Sequence, residues 1–530
     1  MTNVKTLIEM LEFRATETPD KTAFTFIDQP CTYDEMWQQV NRFGAYLREQ
    51  GVNSGDRVVM TLPNSTEFFS AFYGIQRVGA IPVPLFPGFG PDHVLSIMKL
   101  CGAGTIVVPS STPQKQLEFF KTLSGKHNLS VVTVSDSASH PTNAEFPHIE
   151  PDDVAFIQYT SGSTGNPKGV QISHNNLITN IRQMIAAMKI TENEIFVSWL
   201  PVYHDMGLIL KTITPFYLAA DIFLLPSSLK NVVAWLEAIQ KHKATFTAAP
   251  DFAYRLCLRH IQNPEDYDLS SLRVALNAAE PVRHQTILDF EEKFGLKNVM
   301  VAAYGLAEAT VGASMWPPNT KPKVDQHGHV SIGRPFPDIE ITILQNGQAV
   351  GPGVIGEIAV KSTAIPRGYY NNPEATRNLH WKPNTILSGD LGYLDEEGDL
   401  FIVGRKKNSI IHAGHTIYPQ EIEEVVDSLS SVRYSIAVGI DKGRIEGEQV
   451  YVFAEIRNGE TASENALQDM VVEIVDKFHH QLGFRPGRVY LVKPKTIPMT
   501  YNGKFQHSRL KDMYLDGTLF EEGRILYPTY

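Results

Sequence analysis

Short apolar runs alternate with amphipathic segments along most of the chain. Residues 57–62, 105–108 and 130–134 are apolar and rich in β-branched side chains, whereas residues 67–78 repeat apolar positions with helical spacing. Strand-forming runs that alternate with helical segments are typical of parallel sheets covered by helices. The pattern therefore predicts an α/β fold.

The pattern changes in the later part of the chain. Residues 339–360 form short alternating runs separated by turn sequences such as residues 345–347, which predicts a small β subdomain. A compact α+β pattern follows the basic residues 404–408. We therefore expect one domain over residues 1–406 and a smaller α+β domain over residues 407–530. The elements predicted in the second domain are helices at 419–429 and 464–482 and strands at 434–438, 450–456 and 488–492.

Length and net charge limit the classes of protein to which the chain can belong. The chain has 530 residues and a formal net charge of −11. That length is too great for a single hydrophobic core. The acidic balance argues against nucleic acid as a partner. The most apolar region, residues 73–90, is interrupted by Arg77, Pro82, Pro84 and Pro87, so no membrane-spanning segment is expected.

Cysteine usage points to the cellular compartment. Cys31, Cys101 and Cys257 are far apart and fit neither a disulfide framework nor the ligand spacing of a zinc site. The first residues lack the apolar stretch of a secretion signal. Together these features predict a protein of the reducing cytoplasm.

The segment from Tyr159 to Val170 carries the strongest chemical signal, because it combines hydroxyls, glycines and one lysine with few bulky side chains. Such a loop brings N–H groups, hydroxyls and a cation close to a polyphosphate. It differs from a Walker A loop because Pro167 precedes the lysine and Gly169 follows it. The predicted phosphate-binding residues are Thr160, Ser161, Gly162, Ser163, Thr164, Gly165 and Lys168.

Three further positions suit a nucleotide. Tyr304 can stack against a flat base, and Glu308 can hold a Mg²⁺ ion that bridges phosphate oxygens. Asp390 offers two oxygens to the two hydroxyls of a ribose and would repel a 2′-phosphate. Near the end of the chain, Gly503 allows the loop to project Lys504 into a crevice.

Taken in order, these segments resemble the motifs of the adenylate-forming superfamily, which includes acyl-CoA synthetases, luciferases, peptide-synthetase adenylation domains and fatty acyl-AMP ligases. The resemblance covers residues 6–516. Residues 304–310, Tyr-Gly-Leu-Ala-Glu-Ala-Thr, are similar to fatty acyl-AMP ligases, although Ala307 stands where most members have Thr or Ser. The resemblance implies a large N-terminal domain of two αβαβα subdomains plus a β subdomain, followed by a smaller, mobile α+β lid.

The resemblance also implies roles for individual residues. Lys504 corresponds to the catalytic lysine that neutralises charge when a carboxylate attacks the α-phosphate of ATP. His204, in the motif of residues 199–208, corresponds to the gate of the acyl pocket, and Lys407 to the hinge of the lid. The other implied contacts are Glu308 and Thr160 to Mg²⁺, Arg405 to ribose and phosphate, and Ala279, Glu280, Pro281, Ala303, Tyr304, Gly305 and Asp390 to the rest of the nucleotide.

The implied activity is ATP-dependent conversion of a fatty acid to acyl-AMP with release of pyrophosphate. The acyl group then passes to the phosphopantetheine thiol of an acyl carrier protein. Free CoA stays open as the acceptor, because the connection from Glu308 to residues 331–334 is too short for the insertion typical of fatty acyl-AMP ligases. Residues 416–419 also resemble acyl-CoA synthetases.

The class of acid and the presence of catalysis also stay open on the sequence. The substrate of such an enzyme can be an aryl acid instead of a fatty acid. A chain with the same fold can also act without catalysis, as a degenerate nucleotide-binding regulator. Exchange of pyrophosphate into ATP in the presence of a fatty acid separates the enzyme from the regulator.

Overall fold

The structure is a computed structural model that describes residues 4–114, 117–118, 129–160, 167–228, 232–412, 415–443, 447–457, 462–500 and 504–528. Within these ranges, no helix has both the length and the apolar character needed to cross a bilayer. In the following, the described residues up to 406 are called the body and those from 407 onward the lid.

The largest sheet of the body joins nine strands. At its centre Phe246–Ala249 pairs in parallel with Val274–Asn277, which pairs in parallel with Met300–Tyr304. Because these strands run in the same direction, the segments that follow them emerge at one edge of the sheet. From one side to the other the strands are Arg334–Pro335, Ser314–Met315, Met300–Tyr304, Val274–Asn277, Phe246–Ala249, Ile195–Ser198, Asp221–Leu224, Thr22–Phe26 and Gln29–Thr32.

A second, four-stranded sheet is parallel throughout. Its order is Ile81–Pro84, Arg57–Met60, Thr105–Val107 and Ser130–Val132. The last three strands coincide with the apolar runs that predicted strands, with slightly earlier ends. The two parallel sheets and their helices confirm the predicted α/β class.

The antiparallel hairpin Val154–Thr160 and Lys168–Ser173 places Thr160 opposite Lys168. It therefore holds both ends of the predicted phosphate loop side by side. Ser161, Gly162, Ser163, Thr164 and Gly165 lie outside the described residues, so their predicted roles stay predictions.

The β subdomain predicted at residues 339–360 extends as far as Arg405. Its central strand, Thr385–Leu394, pairs with Gly356–Ser362 on one side and with Leu400–Arg405 on the other. The register places Asp390 opposite Arg405. Its other strands are Ile339–Gln345, Gln348–Ala349 and His380–Lys382.

Hydroxyl side chains define where several helices of the body begin. Thr6, Thr32, Ser65 and Ser173 each accept a hydrogen bond from an N–H group of the first turn. Residues Met206–Ile213 form a π-helix. The α-helices of the body are Leu7–Glu17, Tyr33–Glu49, Thr66–Arg77, Pro91–Cys101, His174–Met188, Thr214–Leu218, Val232–His242, Asp251–His260, His284–Lys293 and Pro373–Leu379.

The lid has a sheet and apolar clusters of its own. The sheet has the order Val432–Asp441, Glu448–Ile456, Arg488–Val492 and Ile525–Tyr527, and a separate hairpin joins Ile410–His412 to His415–Ile417. The domain boundary at residues 406 and 407 stays a prediction. The α-helices of the lid are Pro419–Asp427, Glu464–Leu482 and His507–Leu515.

Candidate active site

A cleft of about 1840 Å³ is lined by residues of both the body and the lid. The carboxyl edge of the nine-stranded sheet forms one wall, and the lid contributes the segment around Lys504. The structure thus brings together predicted site residues from distant parts of the sequence. Those that line the cleft are Thr160, Lys168, His204, Ala279, Ala303, Tyr304, Gly305, Glu308, Arg405, Lys407 and Lys504.

The described ends of the phosphate loop lie in the cleft. The Thr160 hydroxyl donates to the carbonyl oxygen of Lys168 at 3.4 Å. The Lys168 Nζ lies 5.1 Å from the centre of the Tyr369 ring, which is within the range of a cation–π contact. The ammonium group is therefore held at the loop while its charge stays available to an anion.

Asp390 is buried and connects Tyr304 to the half-exposed Arg405 in one hydrogen-bonded group. The Tyr304 hydroxyl donates to Asp390 Oδ2 at 2.6 Å, and Arg405 Nε lies 2.6 Å from Asp390 Oδ1. Burial raises the pKa of Asp390, and the Arg405 charge and the Tyr304 hydrogen bond oppose that shift. Each carboxylate oxygen has two lone pairs, so each can still accept a ribose hydroxyl beside its fixed donor.

Glu308 has a partner that the sequence did not reveal. The Tyr369 hydroxyl donates to Glu308 Oε1 at 2.7 Å. Burial raises the pKa of Tyr369, and the Glu308 charge raises it further, so this hydroxyl stays protonated. Tyr369 thus connects the phosphate-loop lysine to Glu308, and the second oxygen of Glu308 is left for a cation. Its neighbours Gly368 and Tyr370 carry no chemistry that would have identified it.

Close backbone packing explains the glycine at position 305. A Cβ added to Gly305 would lie 1.7 Å from the carbonyl oxygen of Val311, which is far inside van der Waals contact. A larger residue would therefore displace the turn that joins Tyr304 to Glu308. Ala303 precedes this turn and lines the cleft with a side chain that leaves room for a ligand.

The loop predicted to border the adenine is only partly in the cleft. Ala279 lines the cleft and has a φ of 72°, a conformation that is uncommon for alanine and frequent at functional sites. The Glu280 carboxylate instead accepts a hydrogen bond from the Phe252 N–H. Burial, followed by the charge of Asp251, raises the pKa of Glu280 to about 7. Among the described residues that line the cleft, neither Glu280 nor Pro281 is included.

We expect Glu280→Gln to stabilise the protein above neutral pH. The pKa of Glu280 in the folded state, about 7, lies above its usual value. Its contribution to the free energy of unfolding is therefore complete below the unfolded pKa and is lost as the pH rises through 7. Glutamine resembles the protonated side chain at every pH. Thermal unfolding should show a higher Tm for the variant at about pH 8 and little difference at about pH 5. The same Tm difference at both pH values would contradict this prediction.

Lys504 of the lid lines the cleft together with residues of the body that the sequence predicts to bind a nucleotide. Desolvation by the surrounding protein lowers the pKa of Lys504, and the charge of Arg405 lowers it further. The carboxylates Asp205, Glu280 and Asp390 oppose this shift. These charges act on Lys504 because its ammonium group lies in the cleft. The structure therefore shows a lid orientation in which the predicted catalytic lysine faces the site.

His204 and Asp205 stand together at the start of the π-helix Met206–Ile213. The His204 Nδ1 lies 2.6 Å from Asp205 Oδ1, which also accepts a hydrogen bond from the Met206 N–H at 2.7 Å. Burial opposes ionisation of Asp205, but His204 and Lys504 outweigh it and lower the pKa. π-Helical turns are frequent at functional sites. The role of His204 as a gate stays a prediction.

Lys407, the predicted hinge, lines the cleft where the lid begins. Burial lowers its pKa to about 8, and the charges of Arg405 and Lys168 contribute to the shift. The residue is thus surrounded by other cations of the site. Its role as a hinge stays a prediction.

One part of the cleft is apolar. Asn180 fixes the chain there, because its amide donates to the Gly312 carbonyl at 2.9 Å and its oxygen accepts from the Gly312 N–H at 3.1 Å. An apolar wall favours a ligand that has an apolar portion beside its polar group. The side chains of this wall are Met184, Met188, Leu210, Leu276, Val311 and Phe336.

Two sequence profiles match most of the chain. The profile of AMP-binding enzymes matches residues 11–370, and that of the AMP-binding enzyme C-terminal domain matches residues 414–512. The solved structure of McyG A-PCP complexed with phenylalanyl-adenylate superimposes with a TM-score of 0.88 at 26% identity, over 98% of this chain and 84% of that one.

Relatives of known name differ in their substrates and acceptors. The 4-hydroxyphenylalkanoate adenylyltransferase of Mycobacterium bovis is 30% identical over 96% of this chain and 91% of its own length. The medium-chain fatty acid acyl-carrier-protein ligase JamA of Moorena producens is 28% identical over 97% and 96%. The long-chain fatty acid CoA ligase of Bacillus subtilis is 29% identical over 96% and 94%.

Proposed function

The chain belongs to the AMP-binding enzyme family of ATP-dependent acid-activating ligases, and we propose that it converts an aliphatic carboxylic acid to acyl-AMP and passes the acyl group to the phosphopantetheine thiol of an acyl carrier protein. The observation that carries this proposal is the meeting of Lys504, Tyr304 and Glu308 around one cleft that also has an apolar wall. The cleft therefore has side chains suited to a nucleotide, to a carboxylate and to an apolar tail.

In the first step, a carboxylate oxygen of the acid attacks the α-phosphorus of ATP. The new O–P bond forms as the bond from that phosphorus to the bridging oxygen breaks, which yields acyl-AMP and pyrophosphate. Lys504 stabilises the negative charge that develops on the α-phosphate, and Lys168 holds the departing pyrophosphate. Tyr304 and Asp390 orient the nucleoside so that the reacting atoms stay in line.

A magnesium ion fits the oxygen ligands of the site. Glu308 has one carboxylate oxygen beyond its contact with Tyr369, and Thr160 adds a hydroxyl at the phosphate loop. Such oxygen ligands are those that Mg²⁺ prefers. When bound, the ion supplies positive charge that offsets the charge of the phosphates.

In the second step, the sulfur of the acceptor thiol attacks the acyl carbonyl. The C–O bond to AMP breaks, the thiol proton is released, and a thioester and AMP result. We propose that the lid turns near Lys407 between the two steps, which withdraws Lys504 and presents residues 411–418 to the site. The buried, unpaired state of Cys31, Cys101 and Cys257 fits a reducing cytoplasm, which we propose as the compartment.

The acceptor is tested by supplying each of the two thiols separately. Protein, Mg²⁺, ATP and a set of aliphatic and aryl acids are incubated with either CoA or a holo acyl carrier protein, and thioester formation is followed by mass spectrometry. We expect an acyl carrier thioester from an aliphatic acid, and the apo carrier protein, which lacks the thiol, serves as the control. A thioester on CoA alone would show that CoA is the acceptor instead of a carrier protein. Exclusive use of aryl acids would show that the substrate is an aryl acid instead of an aliphatic one.

A further inference from the structure

We propose that the ion pair between Arg283 of the body and Asp427 of the lid positions the lid for acyl-AMP formation. The Arg283 Nη2 lies 2.8 Å from Asp427 Oδ2. The Asp427 side chain is 2% exposed and that of Arg283 is 22% exposed, so the pair is largely removed from water. This inference rests on the proposed function, because it assigns the pair to one of the two half-reactions.

The location of Asp427 is unfavourable for a negative charge unless Arg283 is beside it. Asp427 is the last residue of the helix Pro419–Asp427, where the helix dipole disfavours a negative charge. Burial raises its pKa, whereas Arg283 and a hydrogen bond from Ser435 lower it. The Ser435 hydroxyl donates to Asp427 Oδ1 at 2.8 Å and belongs to the lid itself. Only the second oxygen therefore depends on contact with the body.

The same helix face carries two more acidic residues toward the body. Glu421, Glu424 and Asp427 are spaced three residues apart, which places them on one side of the helix. Glu421 Oε1 lies 4.0 Å from His329 Nε2, and the charge of Glu424 acts on Arg283. The lid thus docks on the body through an acidic helix face that meets Arg283 and His329.

The pair is formed in the same lid orientation that brings Lys504 into the cleft. Arg283 follows closely after the loop that contains Ala279, so the contact joins the lid to the wall of the nucleotide site. Rotation of the lid about Lys407 would carry Asp427 away from Arg283. Separation of a buried ion pair is costly unless water reaches both charges. The pair therefore favours the first half-reaction and has to open before the second.

Asp427→Asn is the most specific variant for this proposal. Asparagine keeps an acceptor for Ser435 but removes the charge that attracts Arg283. Arg283→Gln removes the other partner and is expected to give the same result. Arg433→Gln is the matched control, because Arg433 lies 3.3 Å from the buried carboxylate of Glu455 within the lid and does not bridge to the body.

Two half-reactions are measured for each variant: exchange of pyrophosphate into ATP, and thioester formation from supplied acyl-AMP. We expect Asp427→Asn and Arg283→Gln to slow exchange by about tenfold and to leave thioester formation unchanged or faster. Arg433→Gln should change both half-reactions by the same factor. Equal loss of both half-reactions in Asp427→Asn, or unchanged exchange, would overturn the proposal.

A second readout does not depend on activity. Energy transfer between a fluorescent label on the body and one on the lid reports how often the lid leaves the body, because rotation of the lid changes the distance between the two labels. We expect the changed distance in a larger share of Asp427→Asn molecules than in the wild type and in Arg433→Gln, and equal shares would contradict the proposal. If the wild type exchanges no pyrophosphate with any acid, the proposed function fails, and the label distances alone decide whether the pair holds the lid.

Discussion

Lys504→Ala is expected to remove most acyl-AMP formation and to spare thioester formation from supplied acyl-AMP. The ammonium group of Lys504 lies in the cleft, where the charges of Asp205, Glu280 and Asp390 act on it. Loss of a cation that stabilises a developing phosphate charge costs about 10²–10³-fold in rate. In the proposed second half-reaction the lid has turned and withdrawn Lys504 from the site, so its loss should not slow that step. Pyrophosphate exchange and thioester formation, measured separately, give the two rates.

The control for this variant is another lysine of the lid. Lys495 is exposed and does not belong to the residues that line the cleft, so Lys495→Ala should leave both half-reactions unchanged. If Lys504→Ala slowed the two half-reactions to the same extent, Lys504 would not be the catalytic lysine of the first step.

Glu308→Gln is expected to have the second-largest effect, a loss of about a hundredfold in acyl-AMP formation at low Mg²⁺. Glutamine can still accept the hydrogen bond that Tyr369 donates to Glu308, so the local fold is retained. It removes the negative charge that a divalent cation needs. Pyrophosphate exchange is measured as a function of Mg²⁺ concentration. The variant should need a far higher Mg²⁺ concentration than the wild type to reach half of its maximal rate.

Tyr369→Phe serves as the complementary variant. It removes the hydrogen bond to Glu308 but keeps the carboxylate and the ring beside Lys168. We expect a much smaller shift in the Mg²⁺ requirement than in Glu308→Gln. An unchanged Mg²⁺ dependence in Glu308→Gln would exclude Glu308 as a metal ligand.

Local sequence patterns predicted much of the fold. The helix Glu464–Leu482 and the strand Arg488–Val492 have the bounds expected from hydrophobic periodicity. The family resemblance drawn from the ordered motifs is confirmed by the two profile matches, and the McyG structure confirms the predicted α/β fold with its large and small domains. Signals of this kind are local, so a single segment is enough to show them.

Contacts between distant segments were not predictable in the same way. The hydrogen bond from Tyr369 to Glu308 joins residues 61 positions apart, and the Arg283–Asp427 pair joins residues 144 positions apart. Nothing in the flanking sequence distinguishes Tyr369, Arg283 or Asp427 from ordinary surface residues. The parallel pairing of Thr22–Phe26 with Asp221–Leu224 is likewise set by the packing of the whole sheet.

The description of the side chains in the cleft depended on both the sequence motifs and the structure. Motifs identified Tyr304, Asp390 and Arg405 as separate candidates, and only the strand register showed that the three form one hydrogen-bonded group. The motif that contains His204 did not reveal the π-helix that follows it. Sequence thus supplied the chemistry of the site, and structure supplied its connections.

The central claim is that the carboxylate of the acid attacks the α-phosphorus of ATP, and the path of one oxygen atom tests it most directly. An acid labelled with ¹⁸O in its carboxylate is incubated with the protein, Mg²⁺, ATP and the thiol acceptor, and the nucleotide product is analysed by mass spectrometry. If the carboxylate attacks the α-phosphorus, AMP carries one labelled oxygen and pyrophosphate carries none. Formation of ADP, or of AMP without the label, would contradict the account.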